Sequence, residues 1–479
     1  MRGLRTSIYL LAAGAAVLCG CSTIREARKA QSAVAPMGTD AEARTWVAPV
    51  VDLRGAPLRA LVEFALTNRP VMVSAKLAVE DARLALKEVA ADAPLASATP
   101  WNALHTSATL GYGESSKSAH FSDLKGRTYR SDPSATLSLD LLIWDFGRNR
   151  ARAKAQAENV LAAELALVRQ GYVVFNEVAK NYFSLLQADA LLEVAQTNVA
   201  EYAEHVERAE TQFEQGVAKQ LDVLRAKLDL SNAVEELVSA SNDVTVAGAN
   251  LMAAMGIDAA TGTAETVLGP RTNGLDRVLR GFADTDGSAR AAFDFACTNA
   301  PAMQIVRAKL RASSDQVDAA VADLMPSLTA SVSLNWTDPL WYWRWGVNAA
   351  QSLFTGGRKT LAVDRAVIAM KSAAADVDKE EQLLSFELER AIAERDNAAE
   401  ARRTALATLA QAKENLDTVD AQFAVGDASR VDFRDAVADY VKALGNRVRA
   451  FYRGQVAEAA LFELIGVEPV YAEEWIAGE

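Results

Sequence analysis

The sequence predicts a mostly α-helical fold with a small β part, built from two copies of one long αα-hairpin. One stretch occurs twice, at residues 212–223 and 422–433, and both copies begin Gln-Phe-x-x-Gly-x-Ala. Each copy lies between two long segments with helical periodicity. Short segments that alternate apolar and polar residues precede both hairpins, which is typical of β-strands. The chain is therefore a duplication, and its two halves have to be interpreted together.

The repeat also fixes the length of the hairpins. Gly216 and Gly426 mark the two turns, because a turn position with φ > 0 favours a residue without Cβ. Gly147 and Gly357 mark the corners that lead into the long helices, and they are 210 positions apart, as are the turn glycines. The second long helix has no Pro or Gly between residues 358 and 425. About 65 helical residues reach roughly 100 Å, which is long enough to bridge a periplasm.

The long helices are expected to pack against shorter ones. Apolar residues in the first long helix follow alternating steps of four and three, a heptad seam. The seam consists of Leu161, Leu165, Val168, Tyr172, Phe175, Ala179, Tyr182 and Leu186. Pro70 and Pro301 each begin a helix of about 22 residues, since proline is tolerated in a first turn. In both halves, two short helices end to end should lie beside one long helix.

Four alternating segments are candidate strands, at residues 104–112, 134–139, 328–336 and 341–349. The polar segment 113–133 is expected to be an exposed loop. One apolar and one polar face fit either a half-buried soluble sheet or an outer-membrane barrel. Because four strands cannot close a barrel alone, a membrane barrel would have to be shared between subunits.

Tryptophans favour the barrel over the soluble sheet. They cluster at one end of the last two strands and would form an interfacial aromatic belt. The belt residues are Trp336, Trp341, Trp343 and Trp345. A Trp-rich soluble hairpin is the alternative.

The N-terminus is typical of a bacterial lipoprotein signal. Arg2 and Arg5 precede an apolar run, residues 8–18, that is too short to cross a bilayer as a mature helix. The run ends in Leu-Cys-Gly-Cys, which resembles a lipobox with Cys21 as the lipidated residue, and Ser22 favours outer-membrane sorting. An ordinary cleaved signal with a chance cysteine is the alternative.

The composition argues against several classes of function. A net charge of −12 argues against a nucleic-acid partner, since no basic face is concentrated in the sequence. The three cysteines form no disulfide framework, and the three histidines have no ligand spacing. No metal site, no cofactor and no catalytic constellation is expected, so the sequence does not predict an enzyme.

These features together resemble the TolC-like outer-membrane efflux proteins, in particular the lipidated OprM/NodT-like outer-membrane factors. The resemblance covers residues 58–467. It rests on the lipobox, the two repeats of helix, strand pair, long helix and hairpin, the corners ending in Phe-Gly-Arg and Gly-Gly-Arg, and the doubled tip motif.

The resemblance implies a homotrimer anchored in outer-membrane lipid and extending into the periplasm. Its long hairpins would form an α-barrel tunnel, continued by a shared twelve-stranded transmembrane β-barrel with four strands from each chain. A periplasmic adaptor protein and an inner-membrane pump would feed this channel. The implied function is a passive exit duct for small molecules in a tripartite efflux system.

The resemblance also assigns roles at the hairpin tips, which would close the tunnel and dock the adaptor. Asp432 and Asp435 match an acidic aperture ring, although both carboxylates could instead stabilise a helical N-terminus. The other candidate gate or tip residues are Asp222, Arg430, Arg434, Gly216, Gly426, Phe213 and Phe423. Arg225 stands where the second repeat has Asp435, so the two tips are not equivalent.

The predicted organisation follows from these assignments. It consists of a signal peptide (1–20), a lipid-anchored linker (21–57), a first repeat (58–255, strands about 104–140, tip 216), an inter-repeat equatorial segment (256–287), a second repeat (288–467, strands about 327–353, tip 426) and a short tail (468–479). Two other functions fit the same pattern. One is the outer-membrane duct of a type I protein secretion system, and the other is a periplasmic helical scaffold lipoprotein without a channel.

Overall fold

The computed structural model describes residues 25–29, 58–92, 104–116, 129–216, 219–257, 289–337, 340–424 and 427–466. The chain divides into two units, Met1–Val51 and Asp52–Glu479. In the first unit, the described residues 25–29 are helical. The predicted signal peptide and Cys21 lie outside the described residues. The elements below belong to the second unit.

The described part of the second unit contains eight helices and four strands, which follow one another in two similar series. The first series is α1 (Leu58–Asn68), α2 (Pro70–Ala91), β1 (Leu104–Ser116), β2 (Tyr129–Trp144), α3 (Arg148–Glu214) and α4 (Gln220–Met255). The second is α5 (Ala289–Asn299), α6 (Pro301–Ala322), β3 (Ser327–Thr337), β4 (Leu340–Ala350), α7 (Arg358–Ala424) and α8 (Arg430–Ile465). The long helices α3 and α7 have 67 residues each, about 100 Å.

The helices pack side by side in an order that repeats the duplication. Near the sheet, the neighbours are α2, α3, α6 and α7, and towards the hairpin tips they are α4, α3, α8 and α7. The short helices α1 and α5 lie where these two sets meet, α1 against α3 and α4, and α5 against α7 and α8. The predicted arrangement of two shorter helices beside each long one is confirmed.

Close contacts join the shorter helices end to end. Gly466 caps the C-terminus of α8, and a Cβ atom there would lie 2.8 Å from Cδ of Pro301, the first residue of α6. Gly256 caps the C-terminus of α4, and a Cβ atom there would lie 3.3 Å from Cγ of Arg69, just before α2. The Tyr172 hydroxyl on α3 donates a hydrogen bond to the carbonyl of Gly466 (3.2 Å). This bond connects the junction between α8 and α6 to the long helix α3.

The four strands form one antiparallel sheet in the order β1-β2-β3-β4. The predicted strands are confirmed, but the predicted loop 113–133 is partly wrong. Residues 113–116 of β1 pair with residues 129–132 of β2, so the hairpin is longer than expected. Backbone pairing overrides the low strand propensity of the glycine, serine and aspartate in these segments.

The register gives the sheet one apolar and one polar face. Trp345, Val332 and Leu139 are directly opposite one another across three strands. Two residues further along the strands, Trp343, Leu334 and Leu137 are aligned in the same way. On the other face, side chains hydrogen-bond between strands, including Ser107 with Ser138 (2.6 Å) and Thr136 with Asn335 (3.1 Å).

A buried carboxylate starts the first long helix. Asp145, only 3% exposed, accepts hydrogen bonds from the backbone N–H groups of Gly147 (3.1 Å) and Asn149 (2.7 Å). Asp323, just after α6, pairs with Arg148 (3.1 Å) and with Lys359 (3.6 Å) at the starts of the two long helices. The strand-to-helix corners of both repeats are thereby joined through one acidic residue.

Candidate functional site at the hairpin tips

The first tip contains the left-handed glycine that the sequence predicts. Helix α3 ends at Glu214, and Gly216 has φ of 76°. The turn is closed by the Gly216 N–H, which donates to the carbonyl of Phe213 (2.9 Å). The Phe213 side chain is 45% exposed, so this motif phenylalanine is not part of a core in the single chain.

The second tip is capped by a hydroxyl and a carboxylate. The Ser429 Oγ accepts from the Asp432 N–H (3.3 Å), and the Ser429 N–H donates to Asp432 Oδ2 (3.0 Å), a capping box at the start of α8. Gly426 and the Arg430 side chain lie outside the described residues. The Asp427 N–H donates back to the carbonyl of Gln422 (2.9 Å).

The acidic pair proposed from the sequence has local partners. Hydrogen bonds from Ser429 lower the pKa of the exposed Asp432 carboxyl, because they stabilise its charged form. Asp435 accepts from Nη2 (2.9 Å) and Nε (3.2 Å) of Arg434, and this contact raises the pKa of Arg434. In the first tip, Asp222 accepts from the Lys219 N–H (3.3 Å). Helix capping by Asp432 therefore operates in the single chain, and an aperture role for the pair stays a prediction.

Sequence reasoning missed a buried histidine at the second tip. His205 on α3 is 4% exposed and lies against Phe433 (ring centroids 5.2 Å apart) and Phe423 (6.2 Å). The two phenylalanines stack on each other at 5.2 Å. Scattered histidines without ligand spacing gave no signal, because the contacts depend on which helices become neighbours of α3.

A groove of about 520 Å³ runs between α4 and α8, with α3 as its floor. The α4 wall carries Asp229, Glu236 and Asp243, and the α8 wall carries Lys442 and Arg449. Residues within each wall are seven apart, so they follow one face of each helix. Tyr202 lies on the floor, and its pKa is raised by burial first and then by the carboxylate of Asp229. The groove therefore has an acidic and a basic side.

The sheet forms the other candidate functional region. Trp341, Trp343 and Trp345 on β4 are between 64% and 69% exposed, whereas Trp336 is half-buried and contacts Trp341 with ring centroids 6.0 Å apart. The tryptophans share a face with the other apolar residues of the sheet. A large exposed apolar face indicates contact with another apolar medium or surface.

The described residues contain no helix that is both long and apolar enough to cross a membrane. The same residues contain no group of His, Cys, Asp and Glu side chains suited to a metal ion.

The order of elements and the doubled tip correspond to a known family. The model of the outer membrane efflux proteins matches residues 61–257 and 294–467, one block for each repeat. The chain belongs to this family. The predicted resemblance is therefore confirmed, and family membership supports a location at the outer membrane. No curated protein matches the chain by sequence at a significant level.

Solved structures of outer-membrane proteins share the fold. VceC of Vibrio cholerae is 18% identical, with a TM-score of 0.71 over 85% of this chain and 96% of its own. The CmeC outer membrane channel of Campylobacter jejuni is 15% identical, with a TM-score of 0.70 over 85% of each chain. The open state of the MtrE outer membrane channel of Neisseria gonorrhoeae is 17% identical, with a TM-score of 0.65 over 85% of this chain and 88% of its own. At these identities the likeness establishes the fold.

Proposed function

We propose that this efflux-family protein is one subunit of a homotrimeric, passive exit duct for small molecules across the periplasm and the outer membrane. The main support is the sheet, which has one apolar and one polar face and continues into two helical hairpins. A duct performs no covalent chemistry, which agrees with the prediction that the chain is not an enzyme.

The sheet supports a shared barrel. Strands β1 and β4 are at the two edges, and each pairs with a single neighbour in the chain. Four strands are too few to close on themselves, whereas three copies supply twelve. Joining β1 of one subunit to β4 of the next would satisfy both edges and turn the tryptophan-bearing face towards lipid.

The helices also support an assembly of three copies, which would close a ring on the periplasmic side of the membrane. The outermost helices in the packing order are α2 and α4 on one side and α7 on the other. Both sides carry large apolar side chains that are more than half exposed. They include Leu224, Leu228 and Val238 on α4, and Leu361, Ile368 and Phe386 on α7. A second and third copy of the chain would cover these residues.

The tips and the groove support a helical partner in the periplasm. The tips are at the end of the long hairpins opposite the sheet, and the groove between α4 and α8 has charged walls of opposite sign. We assign a periplasmic adaptor to this region and an inner-membrane pump to the assembly. The Cys21 lipid anchor completes the proposal.

A duct for type I protein secretion is the second candidate, because the same architecture serves both. Lipidation of Cys21 favours small-molecule efflux. The neighbouring gene distinguishes the two functions. A gene for a resistance-type pump would support efflux, whereas a gene for an ATP-driven exporter together with one for a secreted substrate would support protein secretion.

Single-channel recording tests the duct. Purified full-length protein added to a planar lipid bilayer should produce discrete conductance steps of uniform size. As a control, the same protein is heat-denatured before it is added to the bilayer. If the conductance steps are then absent, a detergent artefact is excluded. Protein that forms no pore would contradict the proposal.

A further inference from the structure

The first corner, where β2 leads into α3, presents a tryptophan at the end of the sheet next to the helices. The ladder between β2 and β3 is regular up to Leu142, which pairs with Thr329, and it then skips one residue, so that Trp144 pairs with Leu328. Leu328 is on the apolar face, four residues before Val332 on the same strand. This β-bulge therefore keeps Trp144 on the apolar face, although unbroken alternation would place Ile143 there.

Phe146 extends this aromatic surface and has a strained backbone. Its ring contacts the Trp144 ring edge to face, with centroids 6.2 Å apart, and the two side chains are about half exposed. Phe146 has φ of 56°, and no other described residue except glycine has a positive φ. The left-handed conformation is unfavourable for any residue with a Cβ atom. Strain that is retained at an exposed position indicates that the side chain itself has a role.

The second corner shows that the turn alone does not require a phenylalanine. At the 210-residue offset, Gly356 corresponds to Phe146 and has nearly the same backbone conformation, with φ of 61°. A glycine is therefore sufficient for this turn. Phe354 corresponds to Trp144 and is 89% exposed, so an aromatic ring precedes the turn in both corners. The ring of Phe146 is explained by a contact outside the chain and not by the geometry of the turn.

The corner aromatics lie one membrane thickness away from the tryptophans at the other end of the sheet. On β3, Trp336 pairs with Trp341 and is eight positions after Leu328, the partner of Trp144. Eight residues of antiparallel strand span about 27 Å, and a strand tilt of about 40° reduces this to about 20 Å along the membrane normal. The apolar band of outer-membrane barrels is about 25 Å tall and has aromatic residues at both boundaries. The two ends of the sheet therefore match the two boundaries of such a band.

Exposed cations follow both corners. Arg150 is in the first turn of α3, and Arg358 is the first residue of α7. Neither forms an ion pair with a described residue. Cations are unfavourable at a helix N-terminus, which carries a partial positive charge, and neither first turn contains an acidic residue. An anion outside the chain, such as a lipid phosphate, would compensate for these charges.

We propose that Trp144, Phe146 and Phe354 form an inner aromatic belt, which binds the periplasmic boundary of the outer membrane where acyl chains meet lipid phosphates. The inner belt fixes the depth of the sheet in the bilayer, and Arg150 and Arg358 contact phosphates within one helical turn of it. The proposal rests on the proposed function, because it requires the sheet to cross the membrane.

Photo-crosslinking in cells that produce the full-length protein tests the inner belt without requiring a conducting pore. The photoreactive amino acid p-benzoylphenylalanine replaces Phe146 or Phe354, one at a time. Phe354 is almost fully exposed, so its replacement disturbs little packing. After irradiation, mass spectrometry of the purified protein should detect attached phospholipid. The attachment should be to the glycerol or to the first methylenes of the acyl chain, since the belt lies at this boundary.

Two positions on opposite faces of the sheet control the experiment. Val332, on the apolar face in the middle of β3, should crosslink to the acyl chain further from the phosphate. Leu142, on the polar face two residues before Trp144, should give no lipid adduct.

Three results would overturn the inner belt alone. They are adducts at Val332 but at neither Phe146 nor Phe354, adducts at Leu142 as abundant as those at Phe146, and attachment at Phe146 only in the middle of the acyl chain. The absence of lipid adducts at Val332 would instead contradict the membrane-spanning duct, and the inner belt with it.

Discussion

Ser429 and Asp432 illustrate how a local contact competes with an assigned role. The sequence left two interpretations of Asp432, an aperture carboxylate or a helix-capping group. The structure shows the cap, and the aperture role stays a prediction. Because capping uses residues within one turn, it was predictable from the Ser-x-x-Asp spacing. The burial of His205 was not predictable, since its ring partners are more than 200 residues away in the sequence.

Removing the serine cap should loosen the start of α8. Ser429→Ala leaves the Asp432 N–H without its side-chain acceptor, and an N-cap loss of this kind corresponds to roughly five-fold faster amide exchange. Hydrogen exchange of the peptide that spans the second tip measures the effect. Ser429→Thr keeps the hydroxyl and should exchange at the wild-type rate, and equal rates in Ser429→Ala would contradict the cap.

The same cap should weaken in acid. The pKa of Asp432 is lowered in the folded protein. The contribution of this carboxylate to stability is therefore complete above the ordinary aspartate pKa of about 3.9, and it is lost as the pH falls through the lowered pKa of the folded state. Asp432→Asn should remove this dependence. A two-dimensional NMR titration of the Asp432 carboxyl in selectively labelled protein checks it, and a midpoint above the ordinary value would contradict the assignment.

Two left-handed glycines should differ in their tolerance of a methyl group. Gly216 and Gly466 have φ of 76° and 74°, but only Gly466 faces close neighbours, with Pro301 Cδ 2.8 Å from a Cβ position. Gly216→Ala should lower the free energy of unfolding by about 1 kcal/mol, and Gly466→Ala by about 3 kcal/mol. Urea unfolding in one detergent compares them, and equal losses would contradict the end-to-end packing of α8 on α6.

At the scale of elements, the strands and helices were predictable because their periodicity is strong. The two prolines, Pro70 and Pro301, and the constant 210-residue offset located the helix starts and tips to within a few residues. The extension of the β1–β2 hairpin was missed. Glycine, serine and aspartate in that segment are typical of loops, and only pairing with the opposite strand keeps them extended.

Adjacent positions on β3 should respond in opposite ways to a positive charge. Val332 is on the apolar face opposite Trp345, whereas Ser331 is on the polar face opposite Asp140. Val332→Arg should destabilise membrane insertion by about 2–4 kcal/mol, since an arginine would face lipid. Ser331→Arg, its matched control, should insert normally because it faces the lumen. Folding into lipid vesicles measures both, and equal yields would contradict the assignment of the faces.

At the scale of the whole molecule, the sequence predicted the fold and the family. It did not predict how the sides of the molecule are covered, because a single chain leaves apolar residues exposed there. Exposed residues such as Leu228 on α4 and Phe386 on α7 have no explanation within one subunit. The heptad seam shows the same effect, because Val168 is 43% exposed in the single chain. Assembly depends on contacts between copies, which neither periodicity nor one chain specifies in detail.

Loss of the lipid anchor should not release the protein from the membrane. Cys21→Ser prevents acylation, but strands β1–β4 would still cross the outer membrane. We expect the variant to stay in the membrane pellet after carbonate washing. A periplasmic scaffold anchored by lipid alone would instead move to the soluble fraction, and that result would support the scaffold alternative.

Cryo-electron microscopy of full-length protein in lipid nanodiscs tests the central claim most directly. We expect three copies around one axis, with β1 of each subunit beside β4 of the next in a closed twelve-stranded barrel and with α4 of each beside α7 of the next. A monomer with an open sheet, or a ring that leaves these strand edges unpaired, would contradict the shared channel.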